Sequence, residues 1–219
     1  MKPLQPIVDF LNNEGYQAMV CDSSKEEGSI LPLKLAAIRA GLGWQGKHSL
    51  LISKKYGTFL ALGGIITNAD LEHNAKEQSN RCHKCDECQK ACPLAALDQP
   101  YVLNVRKCMS YLLMAEDLSK KVQVAMENRI GDCEICQDSC PWNKKHIDNP
   151  LVTKKTESFE KKIENWKNLF FLPDLAELSE KGYREKLGHL NTGIPYDIFH
   201  RNVLIVMERA MKVGEVAIK

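Results

Sequence analysis

Nine cysteines stand in this 219-residue chain, at positions 21, 82, 85, 88, 92, 108, 133, 136 and 140. Eight of them crowd into residues 82–140, and their spacing points to a chemistry. Cys82, Cys85, Cys88 and Cys92, followed by Pro93, form C-x2-C-x2-C-x3-C-P. That run wraps a [4Fe–4S] cube with three thiolates and sends its fourth cysteine to a second cluster when two are present. A shorter run, Cys133, Cys136, Cys140 and Pro141, becomes a set of four once Cys108 is added. The reading is therefore two [4Fe–4S] clusters: Cys82, Cys85, Cys88 and Cys140 for one, Cys92, Cys108, Cys133 and Cys136 for the other. Structural zinc also uses C-x2-C pairs, but two runs closed by Cys-Pro and a total of eight favour iron–sulfur. The ninth thiol, Cys21, follows Ala18-Met19-Val20 and reads as a small buried hydrophobe at a strand end.

Composition sets the surroundings of these thiols. Hydrophobic residues make up 44% and charged residues 26%, with a net charge of +2, an ordinary globular balance that argues neither for nor against a nucleic-acid partner. The longest apolar stretch, residues 59–66, is interrupted by Gly63 and Gly64 and falls short of the roughly 20 residues of a membrane helix. The opening MKPLQPIVDF has no apolar signal region. The expectation is a cytoplasmic protein with no membrane contact, in whose reducing surroundings clustered thiols bind metal.

The elements that must position the thiols follow from periodicity. An amphipathic helix is expected over residues 3–13 and a strand over 17–20. Residues 22–29 form a polar loop, and a small-residue helix spans 33–40. Two buried strands, 50–52 and 58–66, are expected to meet through the Lys54-Lys55-Tyr56-Gly57 turn. The cysteine-rich stretch carries helical inserts near 105–114 and 119–128. A lysine-rich connector follows (Lys144, Lys145, Lys154, Lys155, Lys161, Lys162), flanked by Trp142 and Trp166. Helices then close the chain at 172–179, 183–187 and 196–211, the last with Phe199, Val203, Val206, Met207 and Ala210 as a core stripe. The fold class is α+β, divided as a partial α/β region (1–78), a dicluster ferredoxin-like domain (79–145) and a helical C-terminal region (146–219).

Gly41-Leu42-Gly43-Trp44-Gln45-Gly46 fits the G-x-G-x-x-G dinucleotide pattern. That pattern needs a strand before the glycines and a helix opening at them. Here a helix precedes and a strand follows, so a Rossmann site is rejected. The glycines instead mark backbone packed closely against something, with a large flat cofactor as one candidate.

With these residues assembled, the chain resembles the epoxyqueuosine reductase family, iron–sulfur and cobalamin proteins of tRNA modification related to reductive dehalogenases. The resemblance rests on Ala40-Gly41-Leu42-Gly43-Trp44-Gln45-Gly46-Lys47-His48-Ser49-Leu50-Leu51-Ile52, on the first cysteine run, on Cys108-Met109-Ser110-Tyr111-Leu112, and on Gly131-Asp132-Cys133-Glu134-Ile135-Cys136-Gln137-Asp138-Ser139-Cys140-Pro141-Trp142-Asn143. Tyr183-Arg184 and Phe199-His200-Arg201-Asn202-Val203 resemble the helical segment that follows in that family. It implies two clusters that pass single electrons to a cobalamin in the α/β region, reduction of an epoxide on a modified tRNA base, and an acidic side chain that protonates the opening ring. Lys47, His48, Ser49 and Ser110 are then the residues against the corrin. His48 is expected to line the site, not to ligate cobalt, since the family mostly binds cobalamin without a protein histidine.

Two departures from the family stand out. Its α/β domain begins well upstream of the point at which this chain enters it. Its acid is an Asp in an Asp-Ser-x-Pro context, whereas counting back from Gly41 without gaps lands here on Glu27. The Asp-Ser pair of this chain, Asp22-Ser23, lies farther upstream and lacks the Pro. Asp22 and Glu27 are the candidate acids, with a solvated loop as the plainer reading of both. The implied partners are an electron donor of flavodoxin or ferredoxin type and tRNA, with the connector lysines as phosphate contacts. Two other readings stay open: a dicluster ferredoxin-type electron carrier without chemistry of its own, and a family relative that reduces a small molecule.

Overall fold

The structure is a computed structural model. It describes residues 4–21, 31–72, 75–148, 161, 164–165, 169–188 and 193–213, and the side chains of 145–148 are left aside. The first element is α1 (Gln5–Asn13), opened by a proline in its first turn, where a missing N–H costs nothing. It leads to β1 (Ala18–Cys21), α2 (Leu33–Arg39), β2 (Trp44–Gln45), β3 (Leu51–Ile52) and β4 (Gly64–Thr67). The cysteine-rich stretch holds α3 (Glu87–Ala91), a 3-10 turn (Val105–Lys107), α4 (Met109–Leu112), α5 (Lys120–Ala125), α6 (Ile135–Asp138) and α7 (Pro141–Asp148). Further along come α8 (Leu172–Ala176), α9 (Glu180–Leu187) and α10 (Tyr196–Lys212). Serines start two of them. Ser119 accepts a hydrogen bond from the Val122 amide at 3.4 Å, and Ser179 accepts one from Gly182 at 3.2 Å, satisfying N–H groups that a first turn leaves open.

The mixed helix and strand content is as the sequence implies, but the strand pairing differs. The 54–57 turn does not join the two expected strands. β3 pairs back onto β2, antiparallel, with Trp44 opposite Ile52 and Gln45 opposite Leu51. β4 pairs antiparallel with β1, Ala18 opposite Thr67 and Cys21 opposite Gly64. The Lys54–Gly57 segment closes only one bridge, between Ser53 and Gly57, and residues 59–63 are not strand. Among the described residues the α/β region thus contains two small antiparallel pairs. Cys21 ends β1 and is buried.

Three apolar clusters organise the molecule. Leu175, Leu178, Tyr183, Leu187, Ile194, Ile198, Phe199 and Val203 knit the last three helices together. Leu94, Met109, Leu113, Val122, Met126 and Val206 form a second cluster, so α10 reaches from the tail into the cysteine-rich stretch. Leu113 and Met126 are fully buried there, each contributing about 1.5–3 kcal/mol by removal from water. The third cluster is small and joins sulfur to aromatic carbon: Trp44, Ile52 and Cys140, with Cys82 and Trp142 against them.

Buried polar groups brace these clusters. Asn202, wholly buried, donates to the carbonyls of Leu113 (3.0 Å) and Ile130 (2.7 Å). Its neighbour Arg201 donates to the carbonyls of Ala115 (2.6 Å) and Glu116. Asn143, also wholly buried, accepts from the Thr58 amide at 2.7 Å and donates to the Thr58 hydroxyl at 2.6 Å and the Gln137 carbonyl at 2.8 Å. That one side chain ties α6 and α7 to the segment after β3.

Candidate metal and cofactor centre

The site is built around the β2–β3 hairpin. Its turn is closed by hydrogen bonds from Gly46 N–H to the Leu50 carbonyl (2.8 Å) and from Ser49 N–H to the Gly46 carbonyl (2.9 Å), with Ser49 in the left-handed region at φ +67°. The glycines face their own chain, not a flat cofactor. A Cβ on Gly43 would lie 2.1 Å from the Ile52 carbonyl oxygen, and one on Gly46 would lie 2.5 Å from the His48 ring. The hairpin docks on the cysteine-rich stretch through the Gln45 carbonyl, which accepts from Asn80 (2.8 Å), and the Lys47 carbonyl, which accepts from the Tyr101 amide (2.9 Å).

Electrostatics sorts the eight thiols into two neighbourhoods. Burial first, and then the nearby Cys140, Cys82 and Cys85, push the Cys88 thiol up to about 11. Cys140 is raised by burial and then by Cys82 and Cys85. In the other neighbourhood burial first, and then Cys133, Cys88, Cys108 and Cys92, take Cys136 up to about 12. Cys133 is raised by burial, with smaller contributions from Cys108 and Cys92. Cys88, Cys133, Cys136 and Cys140 thus resist ionising unless a cation is bound among them. The two neighbourhoods touch through Cys136 and Cys88.

The surroundings of the two groups differ. Cys140 is buried against Trp44, with Cys82 beside it, while Cys85 is exposed. Lys47 Nζ donates to the carbonyls of His83 (2.9 Å) and Cys85 (2.6 Å), holding that loop. Cys92, Cys108, Cys133 and Cys136 instead line a cavity of about 440 Å³ together with His48 and Ser110. Ser49 and Lys34 also face it. The Ser110 hydroxyl accepts from the Cys133 amide at 3.1 Å, so it positions a thiol while lining the cavity.

Of the four residues expected beside a corrin, the structure brings His48, Ser49 and Ser110 to one cavity; Lys47 is turned to the Cys82–Cys88 loop. The candidate acids Asp22 and Glu27 lie outside the described residues, as do Lys154, Lys155, Lys162 and Trp166. Lys144 and Lys161 are exposed. Sequence reasoning passed over Trp44 and Asn143 as individual residues, although both lie inside motifs it used. Among the described residues no three His, Cys, Asp or Glu groups gather tightly enough to hold a single ion. Among the described residues no helix is long and apolar enough to cross a membrane.

Comparison with known proteins adds names. The family profile of the 4Fe–4S double cluster binding domain matches residues 81–143. An epoxyqueuosine reductase of Prochlorococcus marinus is 38% identical over 117 residues, 52% of this chain and 37% of that protein. The Synechocystis enzyme of the same name is 41% identical over 115 residues, 51% of this chain and 39% of that protein. Among solved structures, the epoxyqueuosine reductase of Streptococcus thermophilus superposes with a TM-score of 0.73 at 29% identity, covering 98% of this chain and 57% of that one. An epoxyqueuosine reductase holding a tRNA-Tyr epoxyqueuosine-modified stem loop shares the fold with a TM-score of 0.73 at 24% identity, over 94% of this chain and 52% of that one. The chain therefore spans little more than half the length of its solved relatives. On these matches the chain is similar to epoxyqueuosine reductases over about half its length, and residues 81–143 match the 4Fe–4S double cluster binding domain.

Proposed function

We propose that this chain is an iron–sulfur oxidoreductase of the epoxyqueuosine reductase type, acting on epoxyqueuosine in tRNA with two [4Fe–4S] clusters and a cobalamin. The observation that carries the reading is the shared cavity: one thiol set, Cys92, Cys108, Cys133 and Cys136, lines the same space as His48, Ser49 and Ser110. We assign Cys82, Cys85, Cys88 and Cys140 to the first cluster and those four to the second. His48, Ser49 and Ser110 form a wall for one face of a corrin. When bound, the clusters supply one-electron transfer and the corrin's cobalt supplies the reduction at carbon.

The chain's own residues do the rest. Exposure of Cys85 puts the first set at the surface, where a flavodoxin- or ferredoxin-type donor can approach. The neighbourhood of Cys88 and Cys136 keeps the two sets within short reach of each other. Opening an epoxide also needs a proton for the departing oxygen, a task for a general acid within hydrogen-bond reach; Asp22 or Glu27 takes it. The exposed Lys144 and Lys161 start and continue a basic stretch suited to phosphates.

The deciding experiment is anaerobic. After the clusters are reconstituted, cob(II)alamin is added and its EPR spectrum recorded with and without protein. A cobalt signal shifted by the protein, or coupled to a reduced cluster, is the expected result. A spectrum of free cobalamin beside intact cluster signals would overturn the reductase reading in favour of a dicluster electron carrier.

A further inference from the structure

Among the described residues, only two buried side-chain nitrogen or oxygen atoms lack a hydrogen-bond partner: Trp44 Nε1 and His48 Nε2. Leaving such a group unpaired in a protein interior costs about 1–3 kcal/mol, so two such atoms on one short hairpin call for an explanation. Both residues are almost completely buried, Trp44 at 1% and His48 at 3% exposure. Trp44 packs on Cys140, with Cys82 against the same cluster. His48 lines the cavity of Cys92, Cys108, Cys133 and Cys136. One orphan therefore sits beside each thiol set.

The chemistry of the two atoms is alike. Indole nitrogen is a donor and nothing else. For His48, the Leu50 amide donates to Nδ1 at 3.2 Å. Nδ1 then keeps its lone pair, and a neutral ring carries its one proton on Nε2. That tautomer also removes Nε2 from the list of cobalt or iron ligands, since a ligating nitrogen cannot keep the hydrogen. A Cβ on Gly46 would lie 2.5 Å from Cε1 and 2.9 Å from Nδ1, so the glycine leaves room for the ring beside it. Trp44 meets Trp142 edge to face at 4.8 Å, the one competing destination for its N–H.

Resting on the reading that each thiol set holds a [4Fe–4S] cluster, we infer that the β2–β3 hairpin supplies one N–H···S hydrogen bond to each cluster, Trp44 Nε1–H to the first and His48 Nε2–H to the second. Hydrogen bonds to cluster and thiolate sulfur stabilise the more negative, reduced state and so raise the reduction potential. The hairpin is then a tuning element with two separable settings, four residues apart in the chain. His48 acts here as a positioning and tuning residue through the cluster, not as a catalytic one.

The test uses reconstituted, reduced full-length protein. Iron and acid-labile sulfide are measured first. A chain that takes up no cluster refutes the cluster reading itself, whereas a loaded chain without the bonds refutes only this inference. In the loaded protein, exchange into deuterium oxide should introduce deuterium couplings at both reduced clusters in electron–nuclear spectra. Trp44→Phe should abolish the coupling at the first cluster and lower the potential of that cluster alone. His48→Phe should remove one coupling at the second and lower its potential alone, leaving the share of the Ala96 amide, which donates to Cys92 Sγ at 3.3 Å. Overturning outcomes are potentials that stay put, both potentials moving together in either variant, or a strong directly bonded nitrogen coupling from His48. Where a variant fails to load iron, the wild-type protein decides: a cluster with no exchangeable coupling removes its proposed donor.

Discussion

The two thiol neighbourhoods share ligand chemistry and differ in almost everything around it. Cys140 is buried on Trp44 with Cys82 packed against the same cluster, Cys88 is buried, and only Cys85 is exposed. Cys92, Cys108, Cys133 and Cys136 surround no such aromatic seal; they face a cavity of about 440 Å³ shared with His48, Ser49 and Ser110. A cluster sealed except at one exposed ligand exchanges electrons with a partner at the surface. A cluster that opens on a cavity exchanges them with whatever the cavity holds. The residues beside each set differ as well: an indole at one, an imidazole and two hydroxyls at the other.

The largest effect that can break this comparison is removal of one set. Cys108→Ala deletes a thiol of the cavity-facing neighbourhood and leaves the tryptophan-sealed one untouched. We expect loss of about half the bound iron and sulfide, with the remaining cluster still reducible. Unchanged iron content, or loss of both clusters together, would refute the division into two sets. Next comes the joint that holds both sets to the hairpin side. Asn143→Ala removes three hydrogen bonds and strands the buried Thr58 amide, while the Thr58 hydroxyl keeps its bond to Gln137. By the cost of unpaired buried groups the expected loss is about 3 kcal/mol, read as a lower urea midpoint at unchanged slope.

A third effect separates the sets by pH. Burial holds His48 down to about 4, against 6.5 for a free histidine. As pH falls, the unfolded chain takes up this proton first, so the stability tied to a neutral His48 is whole above pH 6.5 and drains away between 6.5 and about 4. The full drop is at most about 3 kcal/mol at about 1.4 kcal/mol per pH unit. His48→Phe should flatten that part of the pH–stability curve measured by denaturant titration, and an equally steep curve in the variant would assign the acid sensitivity elsewhere. Trp44 carries no such titration, so the sealed set should keep its stability over the same window.

How much of this was legible in the sequence depends on the distance over which each feature is decided. The thiol runs and the helices are local patterns, and α1, α2 and α10 lie within a residue or two of where periodicity puts them. The strands expected at 17–20 and 50–52 are present as β1 and β3, but their pairing differs from the expectation and β2, two residues long, is too short for alternation to show. The Gly41–Gly46 segment announced close packing, but only the fold shows that Ile52 and His48 are what it packs against. Asn143 lay inside a quoted motif, yet its partner Thr58 is 85 residues away. No local signal carries such a pairing. The orphan nitrogens are more remote still, since an unmet hydrogen bond is a statement about every neighbour at once.

Lys47 gives the smallest and most discriminating test. The resemblance places it against a corrin, whereas its Nζ here clamps the carbonyls of His83 and Cys85 on the sealed side. Those contacts hold the loop between the first two thiols, where His83 already adopts a left-handed φ of +40°. Half-exposed hydrogen bonds of this kind are worth about 1 kcal/mol, so Lys47→Met should barely change global stability. It should instead speed the loss of iron from the Cys82–Cys85–Cys88–Cys140 set under a chelator, leaving the cavity-facing cluster and any cobalt spectrum as they were. A variant that kept its iron but altered the cobalt signal would return Lys47 to the cavity. It would also mean that the loop swings when a corrin binds, so that the division between sealed and open sets holds only in its absence.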